Sequence, residues 1–192
     1  GNDTITDGAG GNDVVSGGDG DDSIQVFGGA VYTLDGGAGN DFVWGGTGID
    51  VITGGAGDDT LDGYSGKDSL TGGAGADVFR VGTNESNPVG GLSDVITDWS
   101  AEDGLLFTDG VVPIGAGTLA NYVEITGVAS FAEAQAIADA QITGGIVNYV
   151  AIQVGADVVV FADSLNNNGA ADSAVVLAGK TLNDISVANI VA

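Results

Sequence analysis

Large apolar residues recur at every ninth position between residues 36 and 80. Five consecutive segments of nine residues share this spacing, and each has Gly at its first and fourth positions and Asp at its sixth. The apolar residue occupies the eighth position, at Val43, Ile52, Leu61, Leu70 and Phe79. Such a fixed period is typical of repeat architectures. A flexible Gly-rich linker has no reason to hold an apolar residue at a constant phase, so we interpret the segment as folded.

The same pattern continues toward the start of the chain. Residues 17–25 form another full unit, residues 11–13 end a unit lengthened by one residue, and residues 1–6 end a truncated one. Residues 26–35 keep the length of one unit plus one residue but lose the Gly and Asp pattern. We therefore expect that one turn has degenerated between residues 26 and 35.

Each unit combines a short strand with a turn. The residues around the apolar position favour a strand, and the six Gly-rich residues favour a turn, in which Gly supplies positive φ and Asp bonds to nearby backbone. Two units then form one flattened coil, and strands stacked at about 4.8 Å point single apolar residues inward. The sequence predicts an all-β fold with a right-handed parallel β-roll over residues 1–80.

The period stops after Arg80, and ordinary strand and helix signals follow. Ser130 and Glu133 make a capping box ahead of a helix over residues 131–142, which Gly144 and Gly145 would end. Alternating and apolar runs predict strands at residues 94–99, 105–107, 122–126, 146–154, 158–161, 174–177 and 185–191, with a hairpin between the fourth and fifth of them. We expect residues 81–192 to form an antiparallel β cap with one helix.

Charge narrows the possible functions. The 192 residues include 27 acids and three bases, for a net charge of −24. This charge opposes compaction unless cations bind, and it argues against nucleic acid and anionic membrane surfaces as partners. With no Cys and no His, the usual zinc, haem and iron–sulfur ligands are missing. Any bound metal is therefore expected to be hard and oxygen-ligated, and no apolar run is long enough for membrane insertion.

The sixth-position Asp residues predict where such a metal binds. Asp41, Asp59 and Asp77 are spaced 18 residues apart, as are Asp50 and Asp68, so the two sets stack on opposite edges of the roll. Carboxylates about 5 Å apart repel by roughly 1 kcal/mol or more. A hard divalent ion with about six oxygen ligands, from carboxylates and turn carbonyls, would remove the repulsion, and the flexible geometry favours calcium over magnesium.

These residues match the GGxGxDxUx nonapeptide, in which U is a large apolar residue. The segment over residues 17–25 and 36–80 therefore resembles the RTX (repeats-in-toxin) family. The resemblance implies a calcium β-roll whose ions lie between turns one coil apart, held by the sixth-position Asp and by carbonyls of the Gly-rich turn. The acids so implied are Asp3, Asp13, Asp22, Asp41, Asp50, Asp59, Asp68 and Asp77. The glycines are Gly17, Gly18, Gly20, Gly36, Gly37, Gly39, Gly45, Gly46, Gly48, Gly54, Gly55, Gly57, Gly63, Gly66, Gly72, Gly73 and Gly75.

The number of ions follows from neighbouring acids on each edge. The pairs are Asp3/Asp22, Asp22/Asp41, Asp41/Asp59, Asp59/Asp77 and Asp50/Asp68, which predict about five ions. Asp13 has no clear partner. Tyr64 departs from the double Gly at the start of its unit.

Two further segments are candidate sites. The sequence from Ser93 to Trp99, followed by residues 102–106, resembles the segment that closes the roll in RTX proteases of the serralysin type. Asp94 and Asp98 could share an ion there, or lie on a solvated strand edge. A second segment resembles a calcium loop with one extra residue, and is otherwise an ordinary Asn-rich turn. Its candidate ligands are Asp163, Asn166, Asn168 and Asp172.

The sequence thus predicts a secreted, calcium-binding RTX module rather than an enzyme. Residues 183–192 resemble the uncleaved export signal of type I secreted proteins, or form a last core strand. The resemblance implies a C-terminal folding and secretion domain of a larger protein, handled by type I secretion machinery and located outside or on the surface of a Gram-negative bacterium. A surface S-layer module with self-association is the alternative. Enzymatic activity is not expected, because no His, Cys or zinc-binding motif is present.

Overall fold

The computed structural model describes residues 1–8, 10–82, 93–108, 122–143, 148–163 and 171–191. Its strands are β1 Thr4–Asp7, β2 Val14–Asp19, β3 Ser23–Val26, β4 Thr33–Ala38, β5 Phe42–Trp44, β6 Val51–Ala56, β7 Thr60–Asp62, β8 Ser69–Ala74, β9 Val78–Gly82, β10 Asp94–Ile96, β11 Gly104–Thr108, β12 Tyr122–Val128, β13 Tyr149–Val154, β14 Asp157–Ala162 and β15 Ser173–Leu177. The helix α1 spans Phe131–Ile142, and two short 3-10 helices span Leu182–Asp184 and Val187–Asn189.

Successive strands of the repeat region alternate between two parallel sheets. One sheet has the order β1-β3-β5-β7-β9-β11, and the other runs β12-β13-β14-β15-β10-β8-β6-β4-β2. Leu61 pairs in register with Val43 on one side and with Phe79 on the other, which is a step of two units in each direction. Two nine-residue units therefore make one coil, and the predicted parallel β-roll is confirmed.

The turns of the roll lie on two edges. The first edge carries the turns at residues 17–22, 36–41, 54–59 and 72–77. The second edge carries the turns at residues 27–32, 45–50 and 63–68. Between the edges, the eighth-position side chains fill a core that is two residues thick, and all of those from Ile24 to Phe79 are fully buried. So thin a core makes each coil depend on its neighbours.

The expectation of a lost turn at residues 26–35 is wrong for the backbone. The Thr47 N–H donates to the Gly28 carbonyl at 2.7 Å, so this turn stacks on the next coil as the others do. The nine positions run from 27 to 35, with Phe27 at the first and Tyr32 at the sixth. In this unit Phe27 and Tyr32 replace the first-position Gly and the sixth-position Asp of the other units.

The roll continues beyond Arg80. Strand β10 pairs in parallel with β8, and β11 pairs in parallel with β9. Ile96 and Leu105 are fully buried and take the place of eighth-position residues. The sheets of the repeats are therefore continuous with those of the following segment.

The cap combines antiparallel and parallel pairing. Strands β13, β14 and β15 are antiparallel, with Gly155 at φ 63° in the predicted hairpin turn. However, β12 pairs in parallel with β13, and β15 in parallel with β10, so the cap is mixed rather than wholly antiparallel. The pairing of β15 with β10 joins the cap to the roll.

The predicted helix is confirmed, and the predicted last strand is wrong. The Glu133 N–H of α1 donates to the Ser130 hydroxyl at 3.2 Å, while Gly144 and Gly145 lie outside the described residues. Within residues 185–191 the second 3-10 helix forms, and the predicted strand is reduced to a single parallel bridge between Ile190 and Leu105. Side chains of Asp184 and Asn189 bond to backbone N–H groups three residues earlier, which competes with extended pairing. No helix in the described ranges is long and apolar enough to cross a bilayer.

Candidate metal centre

Sixth-position carboxylates form a continuous series along the first edge. In each coil the backbone N–H of this residue donates to Oδ1 of the corresponding Asp in the next coil. The bonds are Asp3 to Asp22 at 2.6 Å, Asp22 to Asp41 at 2.7 Å, Asp41 to Asp59 at 2.8 Å, Asp59 to Asp77 at 2.9 Å and Asp77 to Asp103 at 3.1 Å. The structure thus brings together the four acid pairs that the spacing predicts for this edge, and adds Asp103 as a fifth partner.

The second edge carries a shorter series. The bonds run from the Tyr32 N–H to Asp50 at 2.8 Å, from Asp50 to Asp68 at 2.7 Å and from Asp68 to Asp94 at 2.9 Å. Tyr32 interrupts the series because its side chain offers no carboxylate. Asp13, whose carbonyl accepts from the Thr33 N–H at 3.0 Å, is next to Tyr32 in the stack and therefore has no acid beside it.

In four of these carboxylates the second oxygen has no hydrogen-bond donor. Oδ2 is buried and without a hydrogen bond in Asp22, Asp41, Asp59 and Asp68. Burying an anionic oxygen costs several kcal/mol unless a cation or donors compensate for the lost hydration. Four such oxygens at equivalent positions therefore indicate that the roll is built to hold cations.

The first-position glycines create the space beside these oxygens. A Cβ added to Gly17, Gly36 or Gly54 would collide with Oδ2 of the Asp in its own unit. It would also lie 2.6 Å from the carbonyl oxygen of the first-position Gly one coil further on. Each space is thus walled by a carboxylate oxygen and a carbonyl oxygen. In the described part of the chain no three acidic side chains converge, so each ion would take one or two carboxylates together with carbonyls, which is a donor set that suits calcium.

Burial makes the negative charge of these carboxylates costly. Desolvation raises the pKa of Asp59 to about 6 and that of Asp68 to about 7. The pKa values of Asp41, Asp50 and Asp77 are also raised, mainly by desolvation. Neighbouring acids add to the increase at Asp59, whereas the bond from the Asp41 N–H opposes it. A bound cation would reverse this preference for the protonated form.

Asp94 and Asp98 lie on opposite edges, and the prediction that they share an ion is wrong. Strand β10 separates them, since Asp94 accepts from the Asp68 N–H on the second edge. Asp98 accepts from the N–H groups of Gly72 and Gly73 at 3.0 and 2.8 Å on the first edge. Each of these acids thus caps the turn of a different edge.

Sequence reasoning missed Asp103 as a site residue. Its Oδ1 accepts from the Asp77 N–H, and its Oδ2 accepts from the Ser100 N–H at 2.6 Å. The signal was present, because Asp94 and Asp103 are nine residues apart and each precedes a buried apolar residue by two positions. The intervening glycines of the repeat are absent, which concealed the period.

The proposed calcium loop near residue 170 is only partly described. Asp163 is buried and its backbone N–H donates to the Asn148 carbonyl at 3.0 Å, while the Asp172 N–H donates to the Ala162 carbonyl at 3.0 Å. Asn166 and Asn168 lie outside the described residues, so an ion at this loop stays a prediction.

Comparisons with known proteins agree with this geometry. Residues 7–30, 33–52 and 44–79 match the family model of the RTX calcium-binding nonapeptide repeat, in four copies. The repeat region of the chain is therefore an RTX β-roll, a calcium-binding module. No curated protein matches the chain.

One solved structure is similar over most of the chain. It is the solution structure of the AlgE6R3 subunit from the Azotobacter vinelandii mannuronan C5-epimerase. The two are 23% identical, with 97% of this chain and 78% of that chain covered and a TM-score of 0.45.

Proposed function

We propose that the chain is a calcium-triggered folding module of a larger exported protein. The observation that carries the proposal is the set of four buried Oδ2 atoms without hydrogen bonds, at equivalent positions of the roll. In the absence of cations these oxygens, together with 27 acids against three bases, favour an extended chain. Calcium binding then supplies free energy of folding, as it does in other metal-dependent domains.

We infer that seven pairs of sixth-position residues each hold one ion. Five of them are the pairs predicted from the repeat spacing. The other two, Asp77/Asp103 and Asp68/Asp94, are supported by the same N–H to Oδ1 bond. The turn that contains Phe27 and Tyr32 holds no ion in this scheme.

The affinity of these sites matches a role outside the cell. Sites made of turn carbonyls and one or two carboxylates, in a chain that repels itself, resemble the weak calcium sites of extracellular modules, with dissociation constants well above about a micromolar. Cytosolic calcium would leave such a chain extended, which suits passage through type I secretion machinery. The chain would fold on reaching calcium at the cell surface or beyond, with each formed coil presenting an edge to the next.

A calcium titration followed by circular dichroism and calorimetry tests this function. We expect cooperative gain of β signal together with heat of binding, and half-saturation well above about a micromolar. Magnesium serves as the control and should give a much smaller gain, because it demands near-octahedral geometry. Half-saturation below about a micromolar would allow folding before export and would refute the proposed role.

A further inference from the structure

Two departures from the repeat pattern and one further aromatic residue line a groove of the second edge. Phe27 replaces a first-position Gly, and Tyr64 replaces a second-position Gly, while Trp44 is at the ninth, unspecified position of the unit over residues 36–44. The three side chains line a groove of about 390 Å³, whose floor is backbone of Gly28, Gly29, Gly45 and Gly46. Random substitutions along the repeats would not be expected to place three aromatic rings side by side.

Tyr64 occupies its position at a conformational cost. Its φ is 64°, and it is the one residue other than Gly with positive φ in the described part of the chain. Second-position Gly18, Gly37 and Gly55 of the first edge have φ between 100° and 121°, whereas Gly46, at the same position one coil earlier on the edge of Tyr64, does not have positive φ. A non-Gly residue in this region costs on the order of 1–3 kcal/mol, and such residues cluster at functional sites.

A buried carboxylate holds this strained backbone in place. Asp62 Oδ1 accepts from the Tyr64 N–H at 2.9 Å, and Asp62 Oδ2 pairs with the Arg80 guanidinium at 2.9 Å. Arg80 is therefore already paired with a carboxylate. Lys67, the exposed base in the turn of Tyr64, does not line the groove. The groove therefore has aromatic walls, with no charged side chain among its lining residues.

The rings meet at steep angles rather than forming a flat platform. The Phe27 and Trp44 centroids are 6.2 Å apart with an interplanar angle of 63°, and the Trp44 and Tyr64 centroids are 5.6 Å apart at 70°. Phe27 is 57% exposed, so the groove is accessible. Steeply inclined rings around a small space suit a compact, rounded group, whereas a sugar ring stacks best on one flat face.

The net negative charge of the chain favours a positively charged group in the groove. The chain carries −24, and seven calcium ions would still leave it at −10 (−24 plus 14), so an anion is repelled and a cation attracted. Aromatic faces attract cations through the ring quadrupole, and recognition of quaternary ammonium groups by several rings is an established use of this effect. The Thr47 hydroxyl at the groove already donates to the Gly28 carbonyl at 3.2 Å, so its proton is engaged within the protein.

We propose that Phe27, Trp44 and Tyr64 form a binding site for small quaternary ammonium compounds. The trimethylammonium group contacts the three rings, and the negative charge of the calcium-loaded roll adds long-range attraction. The groove borders the Asp50/Asp68 pair, because Gly45 and Gly46 of the Asp50 turn line it, while the turn of Phe27 has Tyr32 in place of the sixth-position Asp.

Binding of tetramethylammonium and of choline to the calcium-saturated chain tests the site. Calorimetry should give saturable binding, and the fluorescence of Trp44 should change, whereas Trp99 is buried and its indole N–H donates to the Asp184 carbonyl. The neutral isostere 3,3-dimethylbutan-1-ol should bind about tenfold or more weakly, because it lacks the charge. Equal binding of the alcohol would overturn the proposal in favour of a merely apolar groove, and so would binding of a neutral monosaccharide in place of the ammonium compounds.

Two variants restore the residue that the repeat pattern prefers. Phe27→Gly and Tyr64→Gly each remove one ring, and Tyr64→Gly also relieves the positive φ, so both should fold with calcium and lose most of the affinity for tetramethylammonium. Val51→Ala, on the outer face of the other sheet, is the matched control and should bind as the parent does. Unchanged binding in both glycine variants, or no binding by the parent, would refute the site.

Phosphatidylcholine vesicles separate a lipid headgroup from a free compound. The phosphate of the headgroup is repelled by the same negative charge that attracts choline, so we expect free choline to bind and vesicles not to sediment the chain. Sedimentation that is lost in Tyr64→Gly would place the same chemistry on a membrane surface and overturn the assignment to free compounds.

Discussion

A sixth-position Asp in the interior of the first edge performs two tasks with its two oxygens. In Asp59, Oδ1 accepts from the Asp41 N–H at 2.8 Å and so joins adjacent coils, while Oδ2 is buried without a hydrogen bond and faces the space proposed for an ion. An Asn could serve the first task but not the second, since its amide lacks the charge. This division explains why one residue type recurs at the position.

An interior carboxylate should matter more than one at the end of the roll. Asp59→Ala leaves the Asp41 N–H unpaired, at a cost of about 1–3 kcal/mol, and removes a ligand from the ions on both of its sides. Asp3→Ala removes a ligand from one terminal pair only. We expect Asp59→Ala to lower calcium stoichiometry and cooperativity, measured by calorimetry, and Asp3→Ala to change them little. Asp35→Ala, an exposed residue of the same charge, is the control, and equal effects at residues 59 and 3 would contradict the stacking.

First-position glycines should tolerate no side chain. The Cβ of Gly54→Ala would lie 2.6 Å from the Gly72 carbonyl oxygen and collide with Asp59 Oδ2, so we expect loss of the adjacent ion and a large decrease in stability. Gly29→Ala is the matched control, because the nearest atom to its Cβ is the Thr47 hydroxyl oxygen at 3.4 Å. Calcium titrations of the two variants should therefore differ sharply. A Gly54→Ala protein that binds calcium as the parent does would show that this space is not part of an ion site.

At the scale of elements, the nine-residue period predicts strands, turns and their register, because each unit forms the same short strand and the same turn. A prediction from the period is wrong where one residue changes the side-chain chemistry but the backbone keeps its course. Tyr32 is such a residue, since its turn keeps its backbone hydrogen bonds. The period also fails at Asp103, which enters the series only through pairing of β11 with β9. The 3-10 helices were missed because side chains of Asp184 and Asn189 outweigh the extended preference of the apolar residues between them.

The second 3-10 helix should stabilise the last coil of the roll. The Asn189 amide donates to the Ala101 and Asp103 carbonyls at 3.2 and 2.8 Å and is nearly buried, with 8% exposure. Asn189→Ala leaves these carbonyls unpaired, and we expect it to cost about 1–3 kcal/mol in calcium-saturated unfolding by urea. Asn183→Ala, an exposed residue of the first 3-10 helix, should cost little. If the two variants unfold at the same urea concentration, the contact with β11 contributes nothing to stability.

At the scale of the whole molecule, protons and calcium compete for the same buried oxygens. The folded-state pKa values of Asp59 and Asp68, about 6 and about 7, lie above the ordinary value for Asp of about 3.9. The folded roll therefore holds protons more tightly than the unfolded chain when calcium is absent. The stability that these protons contribute is fully present below about pH 3.9 and is lost as the pH rises through 6 to 7.

Calcium should invert this dependence on pH, because the ion binds the deprotonated carboxylates and must displace the protons. In chelator, we expect the β signal in circular dichroism to be stronger at pH 5 than at pH 8, where a net charge near −24 is unscreened by bound ions. In millimolar calcium, we expect the order to reverse, with the greater resistance to urea at pH 8. Sodium chloride at equal ionic strength is the control, since it screens charge at both pH values without occupying the sites. A chelated chain with the same spectrum at pH 5 and pH 8 would mean that the buried carboxylates do not govern folding.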